Sequence, residues 1–176
     1  MIDQEAQVRV ATAKAVQHAA QVLQERNPHG RFFGFALCTD DDVRTLYHVA
    51  CTEDWVREKR GAYPDIGFIY VEWTESAPEE PFNMISKKLA GLADLTYSSD
   101  EDWAAARDHR FDALVLALQD CRNAGTFDEG TLLCVGSTDP SDHLESLAVH
   151  AVEKLNIPSV ADEFARALGY EGHRAE

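Results

Sequence analysis

The residues with chemical capacity are seven histidines, four cysteines and 31 carboxylates, and their spacing decides which reactions they can run. Asp40-Asp41-Asp42 offers hard oxygen ligands. A calcium loop needs acidic residues at alternate positions, then a glycine and a distal glutamate, and that order is missing. Three consecutive aspartates between apolar runs read instead as a solvated hairpin turn. His143 and His150 fall on one face of an expected helix, two turns or about 10 Å apart, which is too far for one metal ion. Cys51 follows His48 by three residues, but in a strand those side chains point to opposite faces. Ser137 follows Gly136 without the Gly-x-Ser-x-Gly of a nucleophile elbow. Neither the dinucleotide fingerprint nor the P-loop occurs. The expectation is no catalytic residue, no metal and no cofactor.

Among the carboxylates Glu72 stands apart, because it precedes Trp73 at the end of an apolar run. A carboxylate held against an indole can have a raised pKa and act as an acid or base. A glutamate pointing to solvent is the plainer reading. The acidic stretches are 40–42, 72–80 and 94–102. The last two carry Glu72, Glu75, Glu79 and Glu80, then Asp94, Asp100, Glu101 and Asp102, with Lys87 and Lys88 between them. Meeting on one surface, they would form an anionic rim able to receive a basic protein. Trp55, Trp73 and Trp103 lie near element ends, as interface anchors do, although core packing explains each equally well. The expected partner-binding residues are Glu72, Trp73, Glu75, Glu79, Glu80, Asp100 and Glu101. The alternative is an enzyme or small-ligand binder whose site assembles in space near Glu72, Trp73 and His48.

Composition narrows the partners. The net charge is −15 over 176 residues. Such a chain repels nucleic acid and anionic lipid, and the charge either keeps the protein soluble or steers a basic partner to it. The 45% hydrophobic content argues against disorder and for a core that needs no disulfide or metal. Cys38, Cys51, Cys121 and Cys134 form no C-x-x-C and sit in apolar runs, as reduced, buried thiols do. The first 24 residues lack the basic region and apolar core of a signal peptide, and no apolar run is long enough to span a bilayer. A soluble cytoplasmic protein is expected.

The elements that must position these residues follow from periodicity and end signals. A helix over 3–25 carries Ile2, Ala6, Val10, Ala13, Val16, Ala20 and Leu23 on one face. Strands are expected over 31–39 and 45–51 as an antiparallel hairpin, then a helix over 52–60 capped by Thr52 and stopped by Gly61. Residues 66–73 alternate with apolar side chains on both faces, which predicts a central strand. Helices follow over 82–92 and from Ser99, the latter with a stripe through Trp103, Ala106, Phe111, Leu114, Val115, Leu118 and Cys121. A fourth strand is expected over 131–137. One helix then starts at Asp139-Pro140, and a last one from Pro158 ends at Gly169. The order lacks regular strand–helix alternation. It fits a single α+β domain over 1–176, a small, mainly antiparallel sheet of about four strands covered by helices.

The chain resembles the bacterial family known as domain of unknown function 4303. The resemblance is carried by Phe32-Phe33-Gly34-Phe35-Ala36-Leu37-Cys38-Thr39-Asp40 with Leu46-Tyr47, by Glu72-Trp73, by Leu132-Leu133-Cys134-Val135-Gly136-Ser137-Thr138-Asp139, and by Leu155-Asn156-Ile157-Pro158. It implies no activity and no catalytic residues. In size and charge the family is similar to small acidic bacterial immunity proteins, so the leading expectation is a non-enzymatic interaction protein, in its specific form a toxin-immunity factor. A structural subunit of a larger assembly is the remaining alternative.

Overall fold

A computed structural model describes residues 2–138 and 141–167. The first helix, α1 (Ile2–Arg26), is followed by the hairpin β1 (Phe32–Thr39) and β2 (Tyr47–Thr52), then by α2 (Glu53–Lys59). After α3 (Glu80–Ala93) and α4 (Asp100–Asn123) come β3 (Leu132–Ser137), α5 (Asp142–Leu155) and α6 (Pro158–Ala167). Local caps operate as their residue types demand. The Thr52 hydroxyl accepts the Trp55 N–H at 3.2 Å, and the Ser99 hydroxyl accepts that of Asp102 at 3.1 Å. The expected helix start at Asp139-Pro140 and the stop at Gly169 lie outside the described residues. Ser141 caps α5.

The sheet differs from expectation in strand number and direction. Among the described residues it has three strands in the order β2-β1-β3. β1 pairs antiparallel with β2 and parallel with β3, so the sheet is mixed. A parallel neighbour needs a long crossover, which α2, α3 and α4 supply between β2 and β3. The α+β class stands.

The period of two along β1 divides the interior into two cores. Phe35 and Leu37 face one side with Ala50, Leu133 and Val135, packed under α1, α3, α4 and α5. Ala36 and Cys38 face the other with Cys51, Leu132 and Cys134, covered by Val56, Phe68, Trp73 and Phe164.

Residues 66–73 are not a strand. They form two 3-10 turns, Ile66–Phe68 and Tyr70–Glu72. Trp73 and Tyr70 of this segment pack on the second face of the sheet, over glycines. A Cβ added at Gly34 would come within 2.2 Å of the Trp73 indole, and one at Gly136 within 2.2 Å of the Tyr70 hydroxyl. Apolar alternation cannot tell a short strand from a buried turn that packs side-on.

On α1 the buried line runs through Val8, Thr12, Ala15, Val16, Ala19 and Leu23. Val10, expected inside, is 52% exposed. Arg9 sets this rotation by gripping Asp120 of α4 through two bonds of 2.6 and 2.7 Å.

Both outer strands carry isolated contacts from residues outside the sheet. Glu75 exchanges two backbone bonds with Ala50 on the outer edge of β2, at 2.8 and 3.0 Å. On β3 the Asn156 carboxamide accepts the Leu133 N–H and donates to the Leu133 carbonyl, both at 2.8 Å. The Tyr70 hydroxyl donates to the Ser137 carbonyl at 2.9 Å. Such contacts occupy part of an edge otherwise open to other chains.

Candidate functional site

The acidic segment after Trp73 runs along the outer edge of β2 and is tied down at three consecutive residues. Glu75 pairs with Ala50 through the backbone. The Ser76 carbonyl accepts from the Arg26 guanidinium at 2.7 Å. The Ala77 N–H donates to His48 Nε2 at 2.9 Å. Glu72, Glu75, Glu79 and Glu80 are all exposed, and none enters an ion pair among the described residues. The result is four exposed, unpaired carboxylates flanking a backbone tied at residues 75–77.

Trp73 serves this segment from beneath. It is 4% exposed and packs in the second core, so it anchors the chain rather than meeting a partner. Trp55 is half-buried against the same core, and Trp103 is half-buried beside Arg107, whose guanidinium carbon lies 5.4 Å from the ring centre. Core packing accounts for Trp73 and Trp55, while Trp103 packs beside a cation on α4.

Asp100 and Glu101 lie elsewhere. They are exposed in the first turn of α4, where their charges complement the helix dipole. Glu80 opens α3 and Asp94 closes it, so the length of that helix, about 20 Å, separates these two residues. Asp94 is itself paired with Arg44 at 2.6 Å. Glu80 and Asp94 thus stand at opposite ends of α3, and Asp100 and Glu101 follow on α4.

His48 does not join Glu72 and Trp73. It is 2% exposed and stacks between Phe35 and Phe82, with ring centres 5.4 and 4.4 Å away, on the side of the sheet opposite Trp73. Burial pushes its pKa down to about 4. Because Nε2 accepts a hydrogen bond, the proton sits on Nδ1, which is buried without a partner. A neutral ring in this setting is a strut for the acidic segment.

Other chemical groups are equally committed. The Asp40–Asp42 turn, expected to be solvated, is half-buried. Asp40 Oδ1 accepts the Arg44 N–H at 2.8 Å, and Asp41 Oδ1 accepts the Ser141 N–H at 3.1 Å. Val43 in this turn has φ 52°, a left-handed conformation that costs a β-branched residue energy. Arg110 braces it, donating to the Asp42 carbonyl at 3.0 Å and to the Tyr97 hydroxyl at 3.3 Å. This guanidinium is 2% exposed, and sequence reasoning missed it. Its signal was its place on the Ala106–Arg110–Leu114–Ala117 line of α4.

His143 binds Asp108 at 2.9 Å, and His150 Nδ1 sits 2.7 Å from the Ser146 carbonyl, so the two share no ligand. Among the described residues no group of three or more His, Cys, Asp or Glu is placed to hold a metal. All four cysteines are free and buried. Burial pushes the Cys38 and Cys121 thiols up to about 12, and raises Cys51 and Cys134 as well. None is a poised nucleophile.

Concavities lie away from these groups. One of about 250 Å³ sits at the carboxyl end of β3, between the 3-10 turns and α5 and α6. A groove of about 300 Å³ separates Glu5 and Arg9 of α1 from His109 and Asp112 of α4. Glu72, Trp73 and His48 line neither.

Comparison with known sequences places the chain. A family model matches residues 12–157, from within α1 to just past the end of α5. The chain belongs to DUF4303. The family is described as a domain of unknown function. The DUF4303 match spans all three strands, the acidic segment and its ties to His48 and Ala50, and it ends before α6. No curated protein and no solved structure matches the chain. Among the described residues of this DUF4303 member, no helix is long and apolar enough to cross a membrane.

Proposed function

We propose that this DUF4303 protein is a non-enzymatic interaction module that receives a basic protein partner on its 72–80 segment. The observation that carries the reading is the tethering of Glu75, Ser76 and Ala77, which holds the unpaired carboxylates of Glu72, Glu75, Glu79 and Glu80 in the solvent. Elsewhere several acidic groups are neutralised locally, as with Asp120 by Arg9 and Asp94 by Arg44. Unpaired charge flanking a tethered backbone loses little entropy on binding, and in a protein of net charge −15 it adds to a field that steers cations. The buried His48 and the high-pKa thiols support a role outside catalysis.

The toxin-immunity form of the reading makes the partner a basic toxin domain, occluded by this segment. It rests on size and charge and draws nothing from the fold.

The test begins with the tagged protein capturing a partner at low salt. The association rate of that purified partner is then measured with the wild-type chain and with Glu75→Lys/Glu79→Lys/Glu80→Lys, at low and high salt. Charge reversal and high salt each slow association about tenfold or more, while Asp100→Lys/Glu101→Lys, on α4 and outside the 72–80 segment, has a smaller effect. A rate indifferent to both salt and reversal rejects the reading.

A further inference from the structure

We propose that the cavity at the carboxyl end of β3 is a binding site for a small primary amine with an apolar, benzene-sized body. The site is independent of the acidic segment.

Its position is the first argument. β1 and β3 run parallel, and their paired ends are Thr39 and Ser137. In open α/β sheets ligands collect beyond the carboxyl ends of parallel strands, and β1 with β3 is the parallel pair of this mixed sheet. The cavity opens there, beside Ser137 and Thr138.

Its walls define the body of the ligand. Phe68, Tyr70, Val71, Leu144, Val149 and Phe164 line it, and an apolar enclosure of this kind takes aromatic or branched aliphatic groups. Its volume is about 250 Å³. A dry cavity of about 150 Å³ admits benzene, so the additional space suits an arm of a few atoms. The largest wall is held in place. Tyr70 lies across Gly136, where a Cβ would meet its hydroxyl at 2.2 Å, and that hydroxyl donates to the Ser137 carbonyl at 2.9 Å.

Among the described residues one charged group, Glu145, lines the cavity, and it defines the head. Glu145, half-buried in the first turn of α5, enters no ion pair among the described residues. Among the described residues no lysine, arginine or histidine is in the wall. A carboxylate or phosphate ligand would meet Glu145 with no compensating cation, whereas an ammonium gains a charge-assisted bond next to an apolar surface. This site differs from the one expected around Glu72, Trp73 and His48, none of which lines the cavity.

The experiment compares 2-phenylethylamine with 2-phenylethanol, which has the same body and a neutral head, by titration followed in amide NMR spectra of the intact chain. The amine binds about tenfold or more tightly than the alcohol, with shifts centred on Tyr70, Val71, Glu145 and Val149. Glu145→Gln, a change at a half-exposed site that preserves shape, abolishes the preference and leaves the alcohol affinity unchanged. A preference that survives in Glu145→Gln would come from the overall negative charge and overturns the assignment. Equal affinity for the two probes overturns the amine class, and no shift with either marks the cavity as a solvent-filled gap.

Discussion

His48 Nε2 accepts the Ala77 backbone N–H at 2.9 Å, a bond that only the neutral imidazole can make. Through it a core residue of β2 holds the segment that carries Glu75, Glu79 and Glu80. Protonation would set two donors against each other and place a charge between Phe35 and Phe82.

This bond predicts a pH dependence with a definite sign. Burial lowers the folded pKa to about 4, against about 6.5 in the unfolded chain, so the unfolded state binds more protons between those values. The contribution is intact above pH about 6.5 and is lost as pH falls towards 4, by on the order of 3 kcal/mol. Urea unfolding of wild type and His48→Phe across this range checks it. The variant is less stable at neutral pH by about 1–3 kcal/mol, because the Ala77 N–H loses its acceptor, and the gap narrows as the solution is acidified. A constant gap contradicts the assignment.

Trp73 depends on Gly34 for its seat. Gly34→Ala puts a methyl group 2.2 Å from the indole and must displace it, at a cost of about 1–3 kcal/mol. Gly61→Ala, with no atom within 4 Å of the new Cβ, stays within about 0.5 kcal/mol of wild type. Thermal melts report the stability difference, and a red shift of tryptophan emission in Gly34→Ala alone reports the displaced ring.

Asn156 plugs the β3 edge with both ends of its carboxamide. Asn156→Ala leaves the Leu133 N–H and carbonyl unpaired and costs about 2–4 kcal/mol. Asn156→Asp keeps an acceptor for the N–H but turns an oxygen towards the carbonyl, so it also destabilises. Denaturant unfolding and hydrogen exchange at the Leu133 amide distinguish them: exchange accelerates more in the alanine variant.

The cysteines are predicted to be silent in the native protein. All four are free and buried, with thiol pKa values raised by desolvation. A disulfide reagent at pH 8 labels none over minutes and labels all four in guanidinium. Rapid native labelling of any one would refute the burial argument.

Local chemistry was legible in the sequence. Thr52 and Ser99 cap the helices they precede, because a cap involves residues only three apart. The hairpin of β1 and β2 follows from two apolar runs separated by a polar turn, and the opposed directions of His48 and Cys51 follow from the period of a strand. Acidity and free thiols were readable from composition alone.

What tertiary structure decided depends on partners far along the chain. Residues 66–73 carry the alternation of a strand, yet they form 3-10 turns because Gly34 and Gly136, on two other strands, leave flat space for Trp73 and Tyr70. The direction of β3 is set by its crossover, and the burial of Arg110 by a carbonyl 68 residues away. The cavity beside Glu145 and the three ties of the acidic segment likewise exist only once distant segments meet. Periodicity reports which face of an element is apolar. Which segment covers that face is decided by shape complementarity between parts of the chain that share no local signal.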